Sequence, residues 1–212
     1  MEQQNFLPFP ECKVDIIYCD PPWEYKTNTG KKGLAQQHYK CVKTESLYLL
    51  KEEIDKISNK DCALLMWVTN PKIEDGLKLM KEWNFKYKTV LFVWIKTYKD
   101  GKPVMGLGNY TRSCTELLLL GTRGKLFKWV KNKSILNIIY SIRREHSRKP
   151  DEMFEKIIQL FGNREKIELF SREPREGWYS WGNETNKFNK QNKEGWDSWK
   201  KYWDNKSLLS LN

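Results

Sequence analysis

The chain has 212 residues, with 38 Lys and Arg against 27 Asp and Glu, so its formal net charge is +11. Apolar residues make up 39% and aromatics 14%, enough for a packed core and too many for global disorder. The longest apolar runs, such as Leu117–Leu120 and Leu91–Ile95, fall far short of the roughly 20 residues of a membrane span.

The opening MEQQNFLPFPE has no basic stretch followed by an apolar one, so no signal peptide is expected. Five cysteines (12, 19, 41, 62 and 114) are widely spaced without a C-x-x-C pair, and the only histidines are His38 and His146. Neither structural zinc nor a disulfide framework is expected, and a cytoplasmic protein with reduced thiols is.

In chain order, VDIIYC (14–19) is a short apolar run that reads as a buried strand. ALLMWV (63–68), TVLFVWI (89–95), TELLLLG (115–121) and KIELF (166–170) read likewise, and ILNIIY (135–140) is a weaker sixth candidate. Pro71 opens a helix whose Ile73, Leu77, Met80 and Trp83 recur at helical spacing as one buried stripe. Pro150 opens another, with Asp151 and Glu152 at its positive end and Gly162 after it. Met153, Phe154, Ile157, Ile158 and Phe161 form its expected buried face.

Strands alternating with helices predict an α/β doubly wound, mostly parallel sheet. Three loops interrupt it, at 24–40, 98–113 and 171–186, each with glycines. The expected boundaries are one domain over 1–186 and a basic, Trp-rich tail over 187–212. In the tail Trp196, Trp199 and Trp203 suit a short amphipathic helix, packed on the domain or stacked on a ligand. No G-x-G-x-x-G occurs, so a dinucleotide site is not expected.

Asp20-Pro21-Pro22-Trp23 follows the first strand directly. Ligands of open α/β sheets bind beyond the carboxyl ends of the strands. Two prolines stiffen the backbone and remove two donors, which leaves the carbonyls of Asp20 and Pro21 free to accept. Trp23 adds a flat face. This set suits a base-conjugated amine, whose lone pair is delocalised into its ring. Two acceptors each take one N–H, the nitrogen pyramidalises, and its lone pair points at an electrophile. Lys149 stands just before the Pro150 helix, where an ammonium and free backbone N–H groups make an anion site.

The chain resembles the MT-A70 adenine-N6 methyltransferases, of the prokaryotic or phage type, over residues 13–184. The resemblance rests on DIIYCDPPW (15–23), LLMWVT (64–69), VLFVWIK (90–96), TRSCTELLLLGTRG (111–124), HSRKPDEMFEKI (146–157), KIELFSR (166–172) and WGNE (181–184), in that order. It implies a Rossmann-like class I methyltransferase fold in permuted motif order, with S-adenosylmethionine as cofactor. It implies catalytic roles for Asp20, Pro21, Pro22 and Trp23, with Asp20 touching both the target amine and the cofactor's amino group. Ser147, Lys149, Phe170, Arg172, Asn183 and Glu184 are the further cofactor residues, Lys149 for the carboxylate and Asn183 and Glu184 for the ribose and adenosine. Trp23, Tyr39, Asn109 and Arg112 belong to the substrate side. Glu116 is read as structural. Two departures stand out: Glu184 replaces the common Gln, and only about a dozen residues precede the first strand, so the adenine pocket is expected to be more open or to be completed by the tail or a partner chain.

Lys and Arg cluster at 26–40, 125–133, 143–148 and 187–201, interleaved with aromatics. With the resemblance, this predicts a nucleic-acid partner, DNA before RNA; a homodimer or related partner subunit is what the resemblance alone implies. A catalytically silent nucleic-acid-binding subunit is the rival of another class.

Overall fold

A computed structural model describes residues 9–25, 42–108, 110–145, 148–182 and 185. Seven strands form one sheet in the order β5-β3-β4-β2-β1-β6-β7. They are β1 (Val14–Cys19), β2 (Ser58–Thr69), β3 (Lys86–Thr97), β4 (Thr115–Arg123), β5 (Ile138–Ile142), β6 (Lys166–Leu169) and β7 (Tyr179–Trp181). β1 pairs in parallel with β2 and β6, β6 with β7, and β3 with β5. β4 runs antiparallel to both of its neighbours, β2 and β3. The sheet is therefore mixed: six strands point one way and β4 the other. The helices are α1 (Thr44–Tyr48), α2 (Lys51–Ile57), α3 (Ile73–Glu82) and α4 (Glu152–Phe161).

Side-chain alternation along each strand sorts the core into two clusters, one on each sheet face. Ile17 and Cys19 of β1 join Leu47, Ile54, Leu79 and Met80 from α1, α2 and α3. Ile16 and Tyr18 join Met153, Phe154, Ile157 and Phe161 of α4, with Trp129 and Trp178. A register shift between Val14 and Ile16 returns Val14 to the first face. Gly76 lets α3 lie close to β2, since a Cβ there would stand 2.5 Å from a Val68 methyl carbon. Glycine costs a helix interior about 1 kcal/mol, and here it permits the approach.

The predicted strands all form, with β2 and β3 extended at both ends. β7 and the helices α1 and α2 were not foreseen. Two helix faces differ from expectation: Leu77 and Ile158 are exposed. On α3 the packed positions are Gly76, Leu79 and Met80, so the buried stripe passes beside Leu77. No helix among the described residues is long and apolar enough to cross a membrane. The tail from 187 lies outside the described residues.

Candidate active site

Parallel strands bring their carboxyl ends to one edge of the sheet. Asp20 follows β1, and Phe170 and Arg172 follow β6. Because β4 runs the other way, its beginning lies at that same edge. Its second residue, Glu116, pairs in register with Thr69 at the end of β2. Lys96, near the end of β3, completes the row.

The ends of β1, β3 and β4, with the turn before α4, place a chain of alternating charges. Lys149 Nζ donates to Asp20 Oδ2 at 2.6 Å and lies 3.0 Å from Glu116 Oε2. Lys96 Nζ donates to Glu116 Oε1 at 2.5 Å. The Lys149 ammonium also sits 5.6 Å from the Trp67 ring centre. Burial pulls the Lys149 pKa down, but Asp20 and Glu116 outweigh it and raise it, so the ammonium is secure. Burial pushes the Glu116 carboxyl up, and Lys149 and Lys96 overcome it, holding it at about 2. The two carboxylates and two ammonium groups thus sum to zero, which is how ions survive burial.

Lys149 is therefore not the open point charge expected from sequence. Two carboxylates already claim it, Asp20 and Glu116. Two more expectations need correction. Pro21 carbonyl oxygen accepts the Trp23 N–H at 2.8 Å, closing a three-residue turn around Pro22, so one of its lone pairs is already used. Trp23 is not an open platform: it is 3% exposed, donates its indole N–H to the Trp67 carbonyl at 3.2 Å, and bridges to Val42.

Beside Asp20 a cleft of about 370 Å³, its open mouth included, is lined by Lys149, Phe154, Glu168, Phe170, Arg172 and Arg175 among others. Glu168, on β6, was not foreseen as a site residue. Burial lifts its pKa to about 7, against the pull of Arg175 and of the Ser171 hydroxyl that donates to it. Its charge also raises the buried Tyr18 phenol behind it, whose pKa burial already lifts well above the ordinary value. Arg175 stacks 3.8 Å from the Phe154 ring centre and bridges Asp151 and Glu173. At the β7 end, a Cβ on Gly182 would lie 2.8 Å from the backbone of Ser171, so only glycine lets the two chain ends close together.

Arg112 is exposed, one residue before Ser113, whose hydroxyl accepts from Asn70 at 3.4 Å just beyond β2. It thus stands at the site edge but does not line the cleft. Tyr39, Asn109, Ser147, Asn183 and Glu184 lie outside the described residues. Cys19, Cys62 and Cys114 are free thiols, and burial followed by the Asp20 charge raises Cys19 well above its ordinary pKa.

The family model for MT-A70 matches residues 14–184. The chain belongs to the MT-A70 family. It is similar to the Type II methyltransferase M.MunI of a Mycoplasma, with 33% identity over 196 residues that cover 84% of this chain and 81% of that protein. It is 28% identical over 185 residues to the N6-methyladenosine RNA methyltransferase MTA1 of Cryphonectria parasitica. It is 29% identical over 188 residues to the human N(6)-adenine-specific methyltransferase METTL4. Each of these two matches covers 82% of this chain, but only 52% and 38% of the respective relative. The MT-A70 match begins and ends with the sheet: β1 opens it, and the segment after β7 closes it.

The basic clusters divide. β4 carries the chain from Glu116 to Arg123, about 25 Å at 3.4 Å per residue, and Lys125, Lys128, Lys131 and Lys133 follow it. They are exposed, but at the edge opposite Asp20. Arg144 and Arg148 are tied to Asp151 and Glu173, so their charge is matched within the chain.

Proposed function

We propose that this protein transfers a methyl group from S-adenosylmethionine to the exocyclic N6 amine of adenine in DNA. The observation that carries the reading is the Asp20 carboxylate, fixed by Lys149 at the end of β1 and lining the cleft that Phe170 and Arg172 share. The donor set suits the cofactor. Asp20 and Glu168 are carboxylates for its ammonium, Arg172 is a cation for its carboxylate, and Phe170 is an apolar wall. Ser147, Asn183 and Glu184 belong to the same reading through the resemblance, with Asn183 and Glu184 directed to the ribose and adenosine. When bound, S-adenosylmethionine supplies an electrophilic methyl group on a sulfonium.

The chain's own residues do the rest. Asp20 accepts one amine N–H, and the second lone pair of the Pro21 carbonyl accepts the other. With both hydrogens held, the nitrogen lone pair is directed at the methyl carbon. On transfer of that methyl group, the positive charge that would develop on the amine nitrogen would lie beside Asp20. That nitrogen then loses its proton, which Asp20 can take and pass to water. Lys149 keeps Asp20 oriented, and Glu116 keeps Lys149 in place. Trp23, locked in the core, braces the turn, and Tyr39, Asn109 and Arg112 belong to the substrate side through the resemblance.

DNA is favoured over RNA because the relative matched over most of its own length is a Type II methyltransferase, whereas the relatives named for RNA carry much additional chain. The doubly wound layering and permuted motif order, the 1–186 and 187–212 division, a cytoplasmic setting, and pairing with a second copy or related subunit belong to the same proposal. Incubating the full chain with methyl-labelled S-adenosylmethionine and random-sequence DNA or RNA of matched length tests it. N6-methyladenine in digested DNA, above that in RNA, is expected. Label in neither, despite cofactor binding, would favour the silent-subunit reading.

A further inference from the structure

We propose that the loop joining β3 to β4 carries a wedge, Leu107 and Tyr110, that enters duplex DNA and holds the place vacated by the target adenine. The substrate is then a duplex rather than a single strand. This rests on the adenine-methylation reading above and adds to it the form of the DNA and the residues that open it.

The loop rises directly from the charged row. Lys96, near the end of β3, and Glu116, near the start of β4, both belong to it. The stem is held on both sides. Val104 is 4% exposed and its N–H donates to the Lys96 carbonyl, while Thr97 bridges to Pro103. On the returning limb the Asn70 amide, just beyond β2, donates to the hydroxyls of Ser113 and Thr115. Beyond this stem the two limbs close on glycine. A Cβ on Gly106 would collide with the Ser113 carbonyl oxygen, and one on Gly108 with the Thr111 carbonyl oxygen. The glycines thus face the other limb, and the residues before each of them face away: Met105 and Leu107 are 73% and 71% exposed. Tyr110, past the apex, is exposed in full.

Large apolar side chains gathered at the end of an anchored stem mark a surface meant to be covered. The surroundings select the cover. Lys99 and Arg112 are exposed beside the tip, and the only acid of the loop, Asp100, is matched by Lys102. An apolar tip between cations suits stacked bases behind a phosphate backbone. Sheet order sets the place. On one side of β1 come β2, β4 and β3, and on the other comes β6. The cleft read as the cofactor's lies toward β6, so DNA reaches Asp20 over β2, β4 and β3. At about 4.8 Å per strand the stem stands about 10–14 Å from Asp20. That is comparable to the major groove, about 12 Å wide. An adenine turned out to meet Asp20 breaks its pair and leaves a gap in the stack at this range. Leu107 fills the gap, Tyr110 stacks on the base beside it, and Lys99 and Arg112 meet the flanking phosphates. A single strand has no pair to open, so the wedge acts on the duplex.

The test is methylation by the full chain of one target sequence in three forms: a duplex, the target strand alone, and a duplex with an abasic residue opposite the adenine. Leu107→Ala combined with Tyr110→Ala, both at exposed positions, should keep the wild-type Tm. This chain should lose about 10-fold or more in kcat/KM on the duplex and no more than about 3-fold on the strand alone. It should regain most of that loss on the abasic duplex, where no pair has to open. Leu107→Met combined with Tyr110→Phe keeps the apolar bulk and should stay within about 3-fold of the wild type on all three forms. With 2-aminopurine at the target position of the duplex, wild-type binding should raise its fluorescence, and binding of the double-alanine chain should not. An equal loss by the double-alanine chain on all three forms overturns the wedge and leaves methyl transfer standing. So does a wild type that methylates the strand but not the duplex. A wild type that methylates none of the three is the failure of the methyl-transfer reading itself, and the wedge falls with it.

Discussion

The two edges of the sheet use the same kinds of charged residue to different ends. At the edge opposite the site, Arg123, Arg164 and Lys166 are anchored to backbone carbonyls. Arg123 donates to the Trp83 carbonyl and pairs with Asp55, Arg164 donates to the Phe161 carbonyl and pairs with Asp15, and Lys166 donates to the Arg164 carbonyl. These contacts cap the ends of strands and of α4. At the carboxyl edge, Lys149 is instead shared by two carboxylates, Asp20 and Glu116, and Asp20 opens on a cleft. A buried cation held by side chains from distant parts of the chain does little for local folding. The arrangement makes sense if one of those carboxylates has work to do.

Perturbing either edge sharpens that contrast. The largest effect is expected from Asp20→Ala, which should lower turnover by about 10³-fold or more while nucleic-acid affinity stays within a few-fold. Steady-state methylation and filter binding on the same preparation measure both. Lys149→Ala leaves Asp20 and Glu116 as neighbouring unbalanced carboxylates. It should cost about 10²-fold in kcat/KM, with a loss in kcat itself beyond any weaker cofactor binding. A change confined to cofactor affinity would return Lys149 to a simple anion site.

Glu168→Gln comes next. Because the carboxyl of Glu168 is raised to about 7 in the folded chain, the folded state holds a proton that the unfolded chain releases near pH 4.5. Its contribution to stability is whole below about pH 4.5 and is lost as pH rises through about 7. The Gln variant should therefore match the wild type in urea unfolding at pH 5 and exceed it at pH 8, by on the order of 2 kcal/mol. The smallest effect belongs to the far edge. Arg123→Met should cost about 1–2 kcal/mol of stability, a fall of roughly 2–4 °C in Tm, with turnover unchanged.

Much of this was legible in the sequence, for identifiable reasons. Strands in the middle of a covered sheet are continuous apolar runs, so β1, β2, β3, β4 and β6 were readable within a few residues. Asp20 was readable because it follows such a run and is followed by two prolines. Other features depend on contacts that no local pattern encodes. β7 is three residues long and is held by β6, so it looked like loop. α1 and α2 are short, and their apolar residues are too few for a clear period. Glu116 looked structural because an antiparallel strand, invisible to composition, is what turns its start toward the site. Glu168 sat inside a strand pattern, and only burial beside Arg175 distinguishes it. The Trp23 ring was misjudged because its partners, Trp67 and Val42, are distant in sequence.

The central claim is that two acceptors, Asp20 and the Pro21 carbonyl, each hold one hydrogen of the target amine. N6-methyladenine has only one such hydrogen left, so it should be a poor substrate. The direct measurement is the rate of a second methylation on DNA carrying N6-methyladenine, read by mass spectrometry of the digested product. Dimethyladenine is expected to form at least about 100-fold more slowly than the first transfer product. Dimethyladenine accumulating at a comparable rate would contradict it.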